Sequence, residues 1–394
     1  SCTGRWMPSG AISGNIEMET KKFHNCKLLR YGYTTGSCAA GAAKAAAQLL
    51  LTGEPVEEVR IMTPRGVPLT LEVLDPVLGA GTASCAIRKD GGDDPDATSG
   101  LLIYATVRPI PAGVRIDGGP GVGRVTKPGL DQPVGAAAIN HVPRQMIEEA
   151  VREVLGDAPG GLEGILSVPG GEEVGKRTFN PHLGIVGGIS ILGTSGIVEP
   201  MSEQALMDTT RVELNMRRAQ GDTDLLLTVG NYGDDFATCK LGLSLAGRIK
   251  CSNFIGQTLS DAISLGFRRV LLIGHIGKLV KLGAGIMNTH SAQADARMEI
   301  LLSCALAGGA SLEALQAVAA SLTTEAALEA LRRFDLLESA MEELEKRIEN
   351  QLDRRFGRFL ELGVLVFSGQ KEAGEILCRC GRAEEFLEKW RGKA

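Results

Sequence analysis

Tyr33-Thr34-Thr35-Gly36-Ser37-Cys38 leads into an alanine-rich run, and together they predict the first helix of the chain. The hydroxyl side chains can cap a helix start, and the alanines at 39, 40, 43, 46 and 47 favour helix and share its faces. We expect a helix through Thr52 whose small side chains permit very close packing. Free backbone N–H groups at its start would form an anion site, although ordinary capping by Thr or Ser explains the same residues equally well.

The segments on either side of this helix have alternating strand patterns and turn residues, which are typical of a mixed α+β domain. Pro143 suits a first helical turn and Gly156 can end a helix. The predicted elements are strands within Val59–Val73 around the turn Pro64-Arg65-Gly66, a strand at Leu101–Val107 after the acidic loop Asp90–Asp96, a helix from Pro143 to Gly156, and strands at 165–168 and 185–192.

After Pro200 the pattern changes to strands that alternate with helices, which indicates a parallel sheet with helical crossovers. A charged, helix-rich stretch at 311–356 carries an apolar stripe and is predicted as an insertion before the last strand. The predicted elements are helices at Ser202–Ala219, Phe254–Leu265 and Ser291–Ala305, and strands at Asp224–Val229, Val270–Ile273 and Val364–Phe367.

These patterns predict two domains, as the length of 394 residues also favours. Residues 1–28 are expected to be an extension, either unstructured or artificial in origin. Residues 29–198 form the predicted α+β domain. Residues 199–394 form the predicted α/β domain, with its helical insertion near 311–356.

Composition excludes several classes of function. Aromatic residues make up only 4% of the chain, which disfavours a surface that stacks nucleic-acid bases. With 42 basic and 47 acidic residues the formal charge is -5, so neither a duplex-binding nor a membrane-surface protein is expected. Nine cysteines spread through a large chain without a secretion signal indicate reduced thiols and a cytoplasmic protein. No cysteine, histidine or aspartate pattern reaches a zinc signature, so no protein-bound metal is expected.

A glycine-rich loop, Gly118-Gly119-Pro120-Gly121-Val122-Gly123-Arg124-Val125-Thr126-Lys127, ends in two cations. Its backbone donors and fixed charges could surround a carboxylate or phosphate, although glycine loops are often only turns. The loop is not a Walker sequence and lacks the spacing of a dinucleotide fingerprint.

Two further glycine turns follow predicted parallel strands, at the edge where open α/β sheets bind ligands. They are Gly230-Asn231-Tyr232-Gly233-Asp234 and Gly274-His275-Ile276-Gly277-Lys278. Asp234 could accept hydrogen bonds from a ribose or amino group, and His275 could act as a base or orient a substrate. Helix capping explains the aspartate equally well. Thr289-His290-Ser291 leads into the next predicted helix and adds a second histidine.

At these residues the sequence resembles the cobalt-precorrin-5B C1-methyltransferase family, CbiD. The resemblance extends from about residue 30 to residue 370. The segments that carry it occur in family order and are Tyr31–Ala40, Gly118–Leu130, Asn180–Ser202, Thr228–Gly233 and Gly274–Leu279.

The resemblance implies methyl transfer from S-adenosylmethionine to C1 of cobalt-precorrin-5B, giving cobalt-precorrin-6A, in anaerobic cobalamin synthesis. It also implies a fold similar to a circularly permuted ribosomal S5 domain 2-like α+β unit followed by a small parallel α/β domain. Cobalt would belong to the substrate. Other cobalamin-pathway enzymes are conceivable partners, and a homo-oligomer stays open.

On this resemblance we expect the methyl donor at the two glycine turns of the second half, with His275 as the proton acceptor. Positioning and exclusion of water should contribute more to this reaction than a strong protein nucleophile. Donor-binding residues are then Gly230, Asn231, Tyr232, Gly233, Asp234, Gly274, Gly277 and Lys278. Corrinoid-binding residues are Tyr33, Thr34, Thr35, Gly36, Ser37, Arg124, Thr126, Lys127, Thr289, His290 and Ser291, with Arg144, Arg177, Lys278 and Lys281 as further carboxylate partners.

Two other functions compete with this expectation. The S5-like unit has relatives among small-molecule kinases, and Thr35–Ala40 loosely resembles their phosphate loop, but no convincing magnesium-binding acid accompanies it. A non-enzymatic corrinoid carrier would bind the macrocycle tightly without affinity for S-adenosylmethionine.

Overall fold

The computed structural model describes residues 21–24, 27–369 and 374–392. Within them the chain forms two compact units of mixed α/β structure. The first unit runs to Thr126 and resumes at Val134–Met201, and the second consists of Lys127–Pro133 and the chain from Ser202 onward. The domain limit expected between residues 198 and 199 falls close to Met201, whereas the pattern of the sequence gave no sign that 127–133 packs with the second unit.

The extension expected at residues 1–28 falls in a range that the structure describes only in part. Residues 1–20 and 25–26 lie outside the described part of the chain. Lys21–His24, however, pairs in antiparallel fashion with Lys27–Arg30 and forms a hairpin. The backbone is therefore hydrogen-bonded within the range that we expected to lack structure.

The first unit contains short strands, one five-stranded sheet and four α-helices among the described residues. In chain order they are β1 (Lys21–His24), β2 (Lys27–Arg30), β3 (Gly32–Tyr33), α1 (Thr35–Thr52), β4 (Glu58–Met62), β5 (Pro68–Glu72), β6 (Leu74–Gly79), β7 (Thr82–Arg88), β8 (Leu102–Ile110), β9 (Gly113–Gly118), β10 (Gly121–Val122), β11 (Arg124–Val125), α2 (His141–Leu155), β12 (Gly161–Ser167), α3 (Gly171–Arg177), α4 (Asn180–Leu183), β13 (Ile185–Val186), β14 (Gly188–Ile189) and β15 (Ile197–Val198).

The core of this unit forms between α1 and the sheet, whose strand order is β6-β7-β8-β12-β9. All its neighbouring strands are antiparallel except β9 and β12, which are parallel. The alanines of α1 are buried against β7, β8 and α2. At Gly41 an added Cβ would lie 2.8 Å from Leu71 Cδ1, so a larger residue would push helix and strand apart. The small side chains of α1 thus permit the close packing that the sequence predicts.

The glycine-rich loop 118–127 is part of this packing. β10 pairs in parallel with β14, and β11 pairs with β13 in antiparallel fashion. At Gly188 an added Cβ would lie 2.1 Å from the Gly121 carbonyl oxygen. Gly121 itself has a φ of 79°, which side chains with a Cβ rarely adopt. The glycines are therefore required where two backbone segments touch.

The second unit alternates helices and strands. Its elements are α5 (Glu203–Ala219), β16 (Asp224–Val229), α6 (Gly230–Cys239), β17 (Ile249–Lys250), α7 (Ile255–Ser264), β18 (Arg269–His275), α8 (Ile276–Leu279), the 3-10 turn η1 (Val280–Ala284), α9 (Arg297–Ala307), α10 (Leu312–Ala319), α11 (Thr324–Arg333), α12 (Leu337–Phe356), β19 (Glu361–Ser368), β20 (Glu375–Gly381) and α13 (Ala383–Arg391).

The sheet of the second unit has the order β17-β16-β18-β19-β20. Four neighbouring strands are parallel, but β20 pairs with β19 in antiparallel fashion. The strand predicted at Val364–Phe367 is confirmed as part of β19, but its place as the last strand is wrong, because β20 follows it. The helices α10 to α12 do precede β19, and Met341, Leu344 and Ile348 of the predicted stripe are buried in the core.

The helix predicted from Ser291 to Ala305 is also wrong at its start, since α9 begins at Arg297. Lys281 holds the preceding segment as a loop by donating hydrogen bonds to the carbonyl oxygens of Thr289 and Ala294, at 3.1 and 2.7 Å. Asp295 binds the guanidinium of Arg297 through both carboxylate oxygens. These bonds compete with helix formation before Arg297.

Candidate functional site

The two glycine turns of the second unit lie side by side at one edge of its sheet. β16 and β18 are parallel neighbours, and Val229 is in register with Gly274. Each strand is followed at once by a helix, α6 after Val229 and α8 after His275. Open parallel sheets bind ligands at the carboxyl ends of their strands. The structure therefore brings the residues expected to bind the donor together at such an edge.

The first turn of α6 presents backbone N–H groups without a side-chain cap. Its N-cap residue is Val229, which has no hydrogen-bonding side chain, and the first turn contains no acidic residue. Gly230 has a φ of 73°, and a Cβ added there would lie 3.4 Å from the Lys278 ammonium nitrogen. The ammonium group of Lys278 therefore lies next to the positive N-terminal end of α6. Two positive groups side by side favour the binding of an anionic ligand.

Lys278 itself is half-buried, and its ammonium group has no hydrogen bond or ion pair with any residue that the structure describes. Burial lowers the pKa of its ammonium group, and the nearby cations Lys250 and Lys281 lower it further. An anion that binds here would remove much of that electrostatic cost.

Asp234 is already engaged within the unit. Its carboxylate accepts a hydrogen bond of 2.6 Å from Thr228 Oγ1 and forms ion pairs with Arg248 at 2.9 Å and Lys250 at 3.7 Å. Lys250 also donates to Asn231 Oδ1. These contacts fix the first turn of α6. Sequence reasoning missed Arg248 and Lys250 because β17, which contains Lys250, is only two residues long.

Glu213 on α5 adds a partly buried carboxyl group to this cluster. Burial raises its pKa to about 7, against the opposing effect of Arg248 and Arg217. The Nε atom of Arg248 is buried and has no hydrogen-bond partner among the residues that the structure describes. Neither feature produces a pattern that can be recognised in the sequence.

His275 has a polar partner at each ring nitrogen. Nδ1 accepts from the backbone N–H of Gly277 at 3.1 Å and so caps α8. Nε2 lies 3.0 Å from Oε1 of Glu325, a residue of α11 that sequence reasoning did not single out. Burial lowers the pKa of the imidazole despite that carboxylate. The arrangement requires a neutral ring with its proton on Nε2, and a role as proton acceptor would require Nδ1 to release Gly277.

Two aromatic rings flank this imidazole. The Tyr232 ring centroid lies 5.8 Å away, and the Phe367 ring approaches edge-on at 5.4 Å. Tyr232 is 48% exposed, whereas Phe367 is fully buried. Tyr232 is thus partly accessible to solvent and lies next to His275, whose ring is held in place by its own contacts.

The loop that contains Thr289, His290 and Ser291 lies in the same unit. Thr289 is buried and donates to Asn253 Oδ1, and His290 Nδ1 accepts from the Ala292 N–H. Ser291 is exposed. An open groove of about 480 Å³ adjoins this loop. Its lining residues include Phe254, Met287, Asn288, Arg355 and Phe356.

In the first unit the polar groups expected at the start of α1 have partners within the protein. Thr34 Oγ1 accepts from the Ser37 N–H, which is ordinary N-capping. Ser37 Oγ donates to the Gly196 carbonyl at 2.7 Å, and the Gly36 N–H donates to Leu192. Thr35 donates to the carbonyls of Ser190 and Leu192. The segment 190–196 therefore covers this helix start, and the structure favours capping over the anion site.

Tyr33 lies beside a separate cavity of about 330 Å³. Its hydroxyl donates to the Arg88 carbonyl at 2.9 Å. Burial raises the pKa of this phenol to about 12, so it stays protonated and can serve as a donor.

Three of the six cations expected to bind carboxylates have partners within the protein as well. Arg124 binds both oxygens of Asp117 and the Gly118 carbonyl, and Thr126 donates to Gly184. Arg144 donates to the carbonyls of Ile139 and Ile116, as Lys281 does to its loop. Arg144 and Lys281 stabilise backbone segments in this way, and their expected role as carboxylate partners stays a prediction. Lys127 and Arg177 are exposed.

Comparison with known proteins assigns the chain to a family. A profile of the family CbiD matches residues 22–200, and a profile of the CbiD C-terminal domain matches residues 288–381. A solved structure of the cobalamin biosynthesis protein (cbiD) from Archaeoglobus fulgidus is 29% identical, covers 71% of this chain and 88% of its own, and has a TM-score of 0.38.

Curated relatives match over most of their length. All three of the following carry the name cobalt-precorrin-5B C(1)-methyltransferase. The one from Ruminiclostridium cellulolyticum is 45% identical over 89% of this chain and 92% of its own. That from Alkaliphilus metalliredigens is 48% identical over 94% and 97%, and that from a Thermoanaerobacter species is 52% identical over 80% and 86%. With identities this high over this much of both sequences, the chain belongs to the CbiD family.

Proposed function

We propose that this protein transfers the methyl group of S-adenosylmethionine to C1 of cobalt-precorrin-5B in anaerobic cobalamin synthesis. The observation that carries the proposal is the 45–52% identity to proteins named cobalt-precorrin-5B C(1)-methyltransferase over 80–94% of this chain. The product is cobalt-precorrin-6A. Cobalt enters the reaction as part of the substrate.

The donor site is proposed at the carboxyl ends of β16 and β18. When bound, S-adenosylmethionine supplies an electrophilic methyl group on a positively charged sulfur. The first turn of α6 and the ammonium group of Lys278 suit the donor's carboxylate, because both are positive and Lys278 has no counter-ion among the described residues. The accessible face of Tyr232 suits a sulfonium cation, which an aromatic ring attracts.

The remaining residues of the site hold this surface in place. Thr228, Arg248 and Lys250 fix Asp234 and the first turn of α6. His275 fixes α8 through Gly277 and supports the Tyr232 ring. Methyl transfer to a carbon needs close alignment and exclusion of water, and a preorganised site supplies both. We therefore propose that His275 acts by position, and we treat its predicted role as a base as the alternative to be tested.

The corrinoid carboxylates need cationic or hydrogen-bonding partners that are accessible. Lys127, Arg177 and Ser291 are exposed, so they are the sequence-predicted residues that best suit this role. Arg124 could contribute only if a substrate carboxylate competes with Asp117. The proposal also includes a cytoplasmic location, association with itself or with other pathway enzymes, and a first unit of the permuted S5 domain 2-like type.

The test is anaerobic incubation of the protein with cobalt-precorrin-5B and methyl-labelled S-adenosylmethionine, with mass spectrometry of the corrinoid. We expect one labelled methyl group at C1. Lys278→Met should slow the labelling at least tenfold if the donor's carboxylate binds there. Corrinoid that remains bound to the protein without gaining a methyl group would favour the carrier function. Consumption of ATP with transfer of phosphate would favour the kinase.

A further inference from the structure

One carboxylate connects the ends of two neighbouring strands in the second unit. Glu325 Oε1 lies 3.0 Å from His275 Nε2, at the end of β18. The same oxygen accepts a hydrogen bond of 3.1 Å from the backbone N–H of Gly369, which directly follows β19. Glu325 itself belongs to the first turn of α11, in the helical insertion. A residue from the insertion therefore reaches the edge at which we place the donor.

An acid in the first turn of a helix is often explained by the helix dipole alone. That explanation is insufficient here, because Thr323 already caps α11 by accepting from the Ala326 N–H. The carboxylate of Glu325 forms its hydrogen bonds with two other elements. Glu325 therefore stabilises the ends of β18 and β19 more than it stabilises α11.

The contact with Glu325 determines the form of His275. Because Nδ1 accepts from Gly277 and Nε2 faces a carboxylate, only the Nε2–H form satisfies both partners. The ring is then held in one orientation, next to the rings of Tyr232 and Phe367. A partner that fixes the tautomer and orientation of a histidine is a recurrent device of preorganised sites.

We propose that Glu325 is a positioning residue of the methyl-donor site. It holds His275 in the Nε2–H form and thereby fixes the support of Tyr232 and the cap of α8, the helix that carries Lys278. The helical insertion thus completes the donor site. This inference rests on the proposed function, because it takes the strand ends of β16 and β18 to be the donor site.

The first experiment measures binding of S-adenosylhomocysteine to the full chain by isothermal titration calorimetry. We expect Glu325→Ala to weaken binding about tenfold, since the imidazole loses its fixed partner. Glu325→Gln keeps an oxygen that accepts from Nε2–H and should stay within about threefold of the wild type. The matched control is Glu329→Gln on the same helix, an exposed residue paired with Arg332, and its affinity should be unchanged. Equal affinity of Glu325→Ala and wild type would overturn the proposal.

The second experiment observes the imidazole directly and needs no ligand. Nitrogen-15 labelling of the five histidines gives a pair of ring-nitrogen signals for each, and the pair of His275 is assigned by its loss in His275→Asn. We expect the Nε2–H pattern in the wild type and in Glu325→Gln, and a mixture of tautomers in Glu325→Ala. An Nδ1–H form in the wild type would refute the contact. If the wild type has the expected tautomer and binds S-adenosylhomocysteine but methylates no corrinoid, the proposed reaction fails while the role of Glu325 stands.

Discussion

Individual side chains at the proposed donor site differ mainly in whether their hydrogen bonds are already used. Asp234 and His275 have internal partners on each polar atom that the site could offer, whereas Lys278 has none among the described residues. A ligand anion can therefore gain most at Lys278, where no existing bond has to break. This difference between neighbouring residues makes Lys278 the most informative single position for ligand binding.

The imidazole of His275 leads to a second prediction about a single residue, which is that the stability of the protein depends on pH. Burial lowers its pKa below the ordinary value of 6.5, so the folded protein resists protonation more than the unfolded chain does. The stability contributed by the neutral ring is complete above about pH 6.5 and is lost as the pH falls through the folded pKa. Protonation would also place a hydrogen on Nδ1, which then no longer accepts from Gly277.

We expect the free energy of unfolding and the affinity for S-adenosylhomocysteine to decrease together as the pH falls below 6.5. In His275→Asn the side-chain oxygen can still cap α8 but does not titrate, so both decreases should be smaller. Denaturation and calorimetry between pH 7.5 and 5.5, about one unit on either side of the ordinary value of 6.5, measure both decreases. The same variant tests the base: a loss of methyl transfer with unchanged donor affinity would support proton transfer and contradict a purely positional role.

At the scale of elements, the segment α8 with η1 carries two lysines with opposite roles. Lys278 is half-buried and has no partner among the described residues, whereas Lys281 is 2% exposed and donates to two backbone carbonyls. Those bonds hold the loop before α9, which includes Thr289 and His290. The sequence alone could not separate the two residues, because both follow the same glycine turn and carry the same charge.

Substitution by methionine distinguishes the roles of Lys278 and Lys281, since methionine lacks the positive charge and has a side chain of similar shape. Lys281→Met leaves buried carbonyls without a donor and should lower the free energy of unfolding by about 1–3 kcal/mol. Lys278→Met should change stability little, or raise it, because a partly buried cation is removed. The affinity for S-adenosylhomocysteine should change in the reverse order, with a larger decrease in Lys278→Met than in Lys281→Met. Chemical denaturation and titration with S-adenosylhomocysteine check the pair, and equal effects on stability would contradict the assignment.

For the whole molecule, the helices and strands that could be predicted are those whose sequence pattern lies within the element itself. β16 occupies the predicted residues Asp224–Val229, because a continuous apolar run is typical of a buried parallel strand. β20 was missed because its position at the edge of the sheet leaves Glu375 exposed at its start and Arg379 exposed between the buried Cys378 and Cys380. The start of α9 depends on Lys281, which lies far from it along the chain. The glycine turns of the site were found because strand and turn are adjacent in sequence, whereas Glu325 comes from a distant insertion.

Alkylation of the cysteines allows the stability of the two units to be measured separately. Cys38 and Cys85 are buried in the first unit, and Cys251, Cys304, Cys378 and Cys380 are buried in the second. Burial raises the pKa of the Cys38 and Cys251 thiols to about 12, so they are doubly protected from alkylation while folded. Cys239 is exposed and serves as an internal control for reagent activity.

A ligand that binds only the folded second unit should protect the thiols of that unit. At a concentration of S-adenosylhomocysteine about a hundred times its dissociation constant, the free energy of opening rises by about 2.7 kcal/mol. We expect alkylation of Cys251, Cys304, Cys378 and Cys380 to shift to higher urea, while Cys38 and Cys85 shift less. Mass spectrometry of peptides labelled across a urea series measures each thiol in one sample. Protection of Cys38 and Cys85 alone would place the donor in the first unit, and the strand ends of β16 and β18 would then not be its site.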